Sequence, residues 1–350
     1  MKSSKRLFLV SLAVLLPAFP LSALELQGAG STAAAPLYNA WAEQWAAVSG
    51  HKLSYSAIGS SGGLKAIREG KSDFGASDVA LSSEALAKDG LVNFPVAISG
   101  VVPIINLGSV ARGQLRLTGA VLADILSGRI RQWNASEITA LNPGLSLPAT
   151  PIKVIGREDG SGSTYVLSHY LKQVSESWAS GMGNDFKLQW PETTTLVKGT
   201  GSMIAAVRST PGAIGYAEYG QVEEARLNYA RVANQKGQYP VPGAASFRAA
   251  LQGSAWSSRG AFEEMLTNAA SVSAWPITGG TFIVMRKKVN RADQSSAVLS
   301  MFTYAFMKGD ETASKLHWIP LPESTQARVQ REMAKPVDSR GNSLSWQVNY

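Results

Sequence analysis

The sequence predicts an α/β fold divided between two lobes. Strand-like alternation and helix-like periodicity succeed one another from the start of the chain, which implies sheets covered by helices. About 327 residues follow the N-terminal leader described below, more than one hydrophobic core usually organises. A long β-rich run, Phe94 to Leu107, is interrupted by Gly100 and Pro103 and reads as a strand that leaves one lobe and enters another.

Residues 1–23 have the layout of a signal peptide. Lys2, Lys5 and Arg6 make a basic start, and Leu7 to Leu16 is an apolar run too short to span a bilayer. Pro17 and Pro20 break the run, and Leu21-Ser-Ala23 offers small residues for cleavage. With no cysteine there is no lipid attachment, disulfide, thiolate metal site or Cys nucleophile. The mature protein is expected to be exported and soluble. Only His51, His169 and His317 occur, without ligand spacing, which argues against zinc. Three of the eight net positive charges lie in the leader. The remaining surplus helps to attract anions but, with no basic run, does not argue for nucleic acid.

The elements follow in order. Leu26 to Gly28 ends a short strand, and the next helix carries Leu37, Trp41, Trp45 and Val48 on one face. Lys52 to Ile58 alternates as a strand, and Ser60-Ser-Gly-Gly63 opens a helix through Leu64 and Ile67. Beyond the long run, Gly119 to Ser127 is a helix with Val121, Leu122, Ile125 and Leu126 inward. Pro151 to Ile155 is a buried strand that feeds the Arg157 loop, followed by a helix from Thr164 to Val174. Ser175 to Lys198 reads as loop, Gly199-Thr-Gly-Ser202 precedes a helix from Met203 to Val207, and Ala213 to Tyr216 is a strand. Residues 221–275 are polar, helical or loop. Thr281 to Met285 is again a strand, and helices bearing Ala297, Met301, Tyr304 and Ala305 complete the chain.

Three stretches place Ser, Thr and Gly where a helix begins: Gly28-Ala-Gly-Ser-Thr32, Gly59-Ser-Ser-Gly-Gly63 and Arg157-Glu-Asp-Gly-Ser-Gly-Ser163. A helix N-terminus has unpaired N–H groups and the positive end of a dipole, so each stretch is a potential anion seat. One alone is an ordinary cap. Three together, with an Arg in the last, suggest one oxyanion gripped from several sides. The first also matches the dinucleotide fingerprint G-x-G-x-x-G/A. No Asp or Glu occurs between Glu43 and Glu69 to hold a ribose, however. The second matches the nucleophile elbow G-x-S-x-G, so a secreted serine hydrolase or phosphatase using Ser61 is the alternative function. No segment around His317 looks like its catalytic partner.

Asp78, in Phe74-Gly-Ala-Ser-Asp78, is the informative acid. A carboxylate in an anion pocket repels the ligand by roughly 4 kcal/mol at 4 Å and ε near 20. It makes sense there only when the ligand brings a proton to donate. Phosphate near neutral pH does so and sulfate does not, which selects between them by unrelieved repulsion. Arg157 supplies a charged fork, and Asp159 two residues on is placed to hold it.

Six motifs then stand together in order: Gly28-Ala-Gly-Ser-Thr32, Ile58-Gly-Ser-Ser-Gly-Gly63, Asp73-Phe-Gly-Ala-Ser-Asp78, Asp159-Gly-Ser-Gly162, Pro211-Gly-Ala-Ile-Gly-Tyr216 and Ala274-Trp-Pro-Ile-Thr278. In these the chain resembles the PstS family, the extracytoplasmic phosphate receptors of the high-affinity phosphate ABC importer. The resemblance covers essentially all of the mature chain. It implies a type II periplasmic binding protein fold, in which two α/β lobes joined by hinge strands close on phosphate. The expected divisions are residues 24–97 and 277–350 for one lobe and 98–276 for the other. It implies no catalysis, no cofactor, a periplasmic location, a monomer, and membrane permease subunits as partners. Carried over by motif, Thr32, Ala33 and Ser60 bind phosphate from the first two loops, and Asp78 accepts the ligand's proton. Arg157 pairs with the anion, Asp159 orients it, and Ser161, Gly162 and Ser163 complete the shell. Ala33 stands where the family commonly has an aromatic residue, which implies a thinner pocket wall. Ser163 replaces a frequent Thr and keeps its hydroxyl. Another oxyanion remains a second alternative ligand.

Overall fold

A computed structural model describes residues 23–346 of the chain; residues 1–22 of the expected 1–23 leader lie outside them. The architecture is mixed α/β in two lobes. The main sheet runs in the order Lys52–Ala57, Glu25–Gly30, Phe74–Ser77, Thr278–Arg286, Leu91–Ile105, Ala213–Glu218, Lys153–Arg157, Thr195–Val197. The first three strands are mutually parallel, and Thr278–Arg286 returns antiparallel beside Phe74–Ser77. At the other end, Lys153–Arg157 lies parallel to both Ala213–Glu218 and Thr195–Val197.

Leu91–Ile105 joins the two halves. All 15 of its residues are buried, which its nearly continuous apolar run anticipates. Leu91 to Gly100 pairs with Thr278–Arg286, and Val101 to Ile105 pairs with Ala213–Glu218. One strand therefore pairs with both halves of the sheet, and its pairing partner changes after Gly100. There Val101 N–H donates to Ile277 O at 2.9 Å, and Trp275 Nε1 donates to Val101 O at 2.9 Å. A side chain at Gly100 would run into the Phe247 and Trp275 rings, so the crossing is packed closely.

Helices cover the sheet as the periodicity predicts, with local differences: residues 221–275, expected to be helix or loop, also hold the short strands Asn228–Tyr229 and Arg231–Val232, and Val121 is only half-buried. Ala35–Ser49 buries Leu37, Trp41 and Trp45, but Val48, on its last turn, is 49 % exposed. Tyr304 on Ala292–Lys308 is only half-buried beside the fully buried Met301 and Phe302. The stretch expected to be loop contains the helix Glu176–Gly181 and the strand Thr195–Val197. Ser175 Oγ caps that helix by accepting from Trp178 N, and buried Trp178 anchors it. Lastly, the helix after Lys198 begins at Gly199, so the Gly-Thr-Gly-Ser stretch is its first turn rather than its approach. Among the described residues no helix is long and apolar enough to cross a membrane.

Candidate functional site

Parallel strands deliver their C-terminal ends, and the helix N-termini that follow, to one edge of a sheet. Here the ends of Glu25–Gly30, Lys52–Ala57 and Lys153–Arg157 open into the three Ser/Thr/Gly loops, Phe74–Ser77 ends at Asp78 beside them, and the two lobes turn these edges toward each other. Four helices start at this junction: Ala35–Ser49, Ser60–Arg68, Gly162–Val174 and Gly199–Ser209. Their positive dipole ends converge where the lobes meet.

The loops touch. Arg157 Nη2 donates to Thr32 Oγ1 at 3.3 Å across the junction, and Ser61 N–H donates to Gly160 O at 3.0 Å. A Cβ on Gly59 would stand 2.9 Å from Asp159 Oδ2, and one on Gly160 would overlap Ser61. Gly59 also has φ 83°, a conformation costly for other residues. The cleft is shut in this structure, and its glycines allow that closeness.

Arg157 is 2 % exposed. Asp159 holds it with a two-point pairing, Nε to Oδ1 at 2.6 Å and Nη2 to Oδ2 at 2.5 Å. Gly199 N–H supports the same carboxylate at 3.2 Å. Burial pushes the Asp159 carboxyl up, but the hydrogen bonds and charge of Arg157 outweigh it and hold the group below its ordinary range. The pairing therefore fixes the guanidinium in plane; with Nη2 also donating to Thr32, the Nη1 hydrogens are the ones left for an anion.

Asp78 faces a different environment. It is buried, and burial raises its carboxyl to about 6 against the lowering influence of Ser31, Thr281, Arg157 and Ser60. Thr281 Oγ1 donates to Asp78 Oδ1 at 3.2 Å; with that hydrogen committed, Tyr38 OH must be the donor in its 2.5 Å bond to Thr281. Ser60 Oγ accepts from Asp78 N at 3.2 Å, and its hydroxyl lies within reach of the same carboxylate. On the facing lobe Ser161 caps its helix by accepting from Thr164 N at 3.2 Å, a bond that does not use its own hydrogen. Gly162 packs against Ser60 and Asp78, and Ser163 is buried beside them. A cavity of about 20 Å³ is lined by Ala33, Asp78, Ser163, Glu218 and Trp318 among others. The small Ala33 side chain borders that space.

All of the candidate residues thus meet at one place: Thr32, Ala33, Ser60 and Asp78 from one lobe, and Arg157, Asp159, Ser161, Gly162 and Ser163 from the other. Sequence reasoning missed several neighbours. Thr200 joins through its hydroxyl, 2.9 Å from Thr32 Oγ1, and through its N–H. The Gly199-Thr-Gly-Ser202 stretch resembles the other three loops and was the available signal. Gln221, Thr281 and Glu218 carry no local signal. The buried Glu218 accepts from Gly220 N and Gln221 N and from the Ser99 hydroxyl; burial first of all raises it to about 7.

The histidines give Ser61 no catalytic partner. His51 accepts from Leu24 N, His169 pairs with Thr267, and the His317 ring lies against Tyr219. What the arrangement can do is hold a dehydrated anion with neutral dipoles, one guanidinium and one carboxylate.

Comparison with known proteins agrees. A family model described as a PBP superfamily domain matches residues 20–304. The chain is 40 % identical over 307 residues to a phosphate-binding protein PstS of Xylella fastidiosa, covering 88 % of this chain and 84 % of that one. It is 37 % identical over 338 residues to the protein of the same name from Pasteurella multocida, covering 96 % and 98 %. In fold it is similar to a phosphate-binding protein from Stenotrophomonas maltophilia, at 20 % identity and a TM-score of 0.67 over 88 % of this chain and 93 % of that one.

Proposed function

From the premise that this chain belongs to the PstS family of the PBP superfamily, we propose that it binds inorganic phosphate between its lobes and hands it to an ABC-type import permease. It acts as a receptor, without catalysis. The observation that carries this reading is Asp78, a buried carboxylate set among anion donors, whose chemistry calls for a ligand with a proton to give. Hydrogenphosphate meets that need and sulfate does not.

In the complex, Thr32 and Ser60 donate hydroxyl hydrogens, and Ala33, Gly162 and Ser163 donate backbone N–H groups. Ser161 adds its hydroxyl, Arg157 pairs with the anion under the control of Asp159, and Asp78 takes the ligand's proton. Charge is dispersed over dipoles rather than cancelled, which leaves the ligand releasable when the lobes part. Residues 24–97 and 277–350 form one lobe and 98–276 the other, hinged at the crossing strand. The protein works as a monomer in the periplasm after loss of residues 1–23, and the closed form is the one the permease reads, because only closure brings surfaces of both lobes into register.

Equilibrium dialysis with radiolabelled phosphate, competed with sulfate, tests the reading. Saturable binding that excess sulfate does not displace is expected; equal displacement by both anions would refute it.

A further inference from the structure

Gln221 makes a side-chain bridge between the lobes outside the anion shell. Its Nε2 donates to Ala33 O at 2.8 Å and to Thr32 O at 3.0 Å. A carboxamide nitrogen has two hydrogens, so both are spent on this one loop. Because a trans peptide is planar, directing the Thr32 carbonyl at Gln221 also fixes the opposite direction for the Ala33 N–H. A hydrogen bond to that carbonyl further polarises the same amide as a donor.

Gln221 is itself held. It lies in the first turn of Tyr219–Glu224, where Glu218 accepts from Gly220 N at 2.7 Å and Gln221 N at 3.1 Å. Glu218 also accepts the hydroxyl of Ser99, which sits on the crossing strand opposite Gly279. A continuous set of hydrogen bonds thus runs from the hinge through Glu218 and Gln221 to the loop that presents Thr32 and Ala33. Thr200 reinforces the far end by bonding Thr32 Oγ1.

We infer that Gln221 is a positioning residue, a latch that keeps the first loop of one lobe against the other and sets how long the cleft stays shut, acting through backbone carbonyls rather than on the ligand. The inference rests on the phosphate-binding reading above. Gln221 and the carbonyls it holds lie on opposite lobes, so the bonds contribute only while the cleft is closed.

The test compares the parent with Gln221→Glu, nearly isosteric but lacking the donor, and with Gln221→Ala. Two lost hydrogen bonds correspond to a rise in phosphate Kd of roughly five- to a hundredfold. Most of it should appear as faster dissociation in stopped-flow. The phosphate-to-sulfate preference and the melting temperature without ligand should stay at the parent's values, while the melting shift induced by phosphate shrinks. Kd values within twofold of the parent, or an equal loss of ligand-free stability in both variants, would overturn the latch alone. A parent protein that binds no phosphate would overturn the functional reading, and the latch with it.

Discussion

Gly162 and Asp78 meet across the closed cleft with no room for a methyl group between them. A Cβ at residue 162 would stand 2.6 Å from that of Asp78 and 2.4 Å from Ser60 Oγ. The first turn of the helix Gly162–Val174 can approach the carboxylate only because its opening residue has no side chain. Closure brings backbone donors of one lobe beside the proton acceptor of the other, and this contact sets the limit.

Gly162→Ala should therefore obstruct closing more than folding, since the atoms it strikes lie on the opposite lobe. Overpacking of this kind costs about 1–3 kcal/mol. Calorimetry should show phosphate binding weakened by that amount, and small-angle scattering should show less compaction on adding phosphate. Parent-like affinity with full compaction would mean that the lobes meet elsewhere.

Arg157→Ala removes a desolvated charge partner and leaves Asp159 without its pair. Phosphate binding should weaken by about 2–4 kcal/mol. A titration with a change under about 0.5 kcal/mol would put Arg157 outside the ligand's reach.

Asp78→Asn should lose the rejection of sulfate, because an amide can donate to an unprotonated oxygen where a carboxylate only repels. Competition calorimetry with both anions reads the ratio. Unchanged discrimination removes Asp78 from its role as proton acceptor.

The pH dependence has a definite sign. Burial raises Asp78 to about 6, so its neutral form, able to donate to sulfate, predominates below that pH and fades above it. Sulfate binding should strengthen by up to about tenfold per unit as pH falls from about 8 to about 6, then level off. Asp78→Asn should abolish the slope. A parent profile that is flat over this range, measured by calorimetry, would contradict the assignment.

Much of this was legible in the residues. The spacing of Leu37, Trp41 and Trp45 marks a buried helix face, and the β-rich run from Phe94 to Leu107 marks the long strand observed at Leu91–Ile105. The three Ser/Thr/Gly loops announce anion seats because helix N-termini must satisfy their N–H groups locally. Thr200 was within reach by the same logic, as its stretch has the same composition. Val48 was misplaced because i, i+4 spacing defines a face without saying where that face leaves its neighbour.

The chain alone determined most of the strands and helices, though not Glu176–Gly181 or Thr195–Val197, and three of the loops that offer donors, since those depend on periodicity and capping within a few residues. Tertiary structure decided that Thr32 faces Arg157 and Thr200, that Gln221 reaches the carbonyls of Thr32 and Ala33, and that Thr281 and Tyr38 stand behind Asp78. Those pairs are set by how Leu91–Ile105 threads both halves of the sheet and how far the halves close. Contacts of such long separation depend on the packing of the whole molecule, and local sequence carries no record of it.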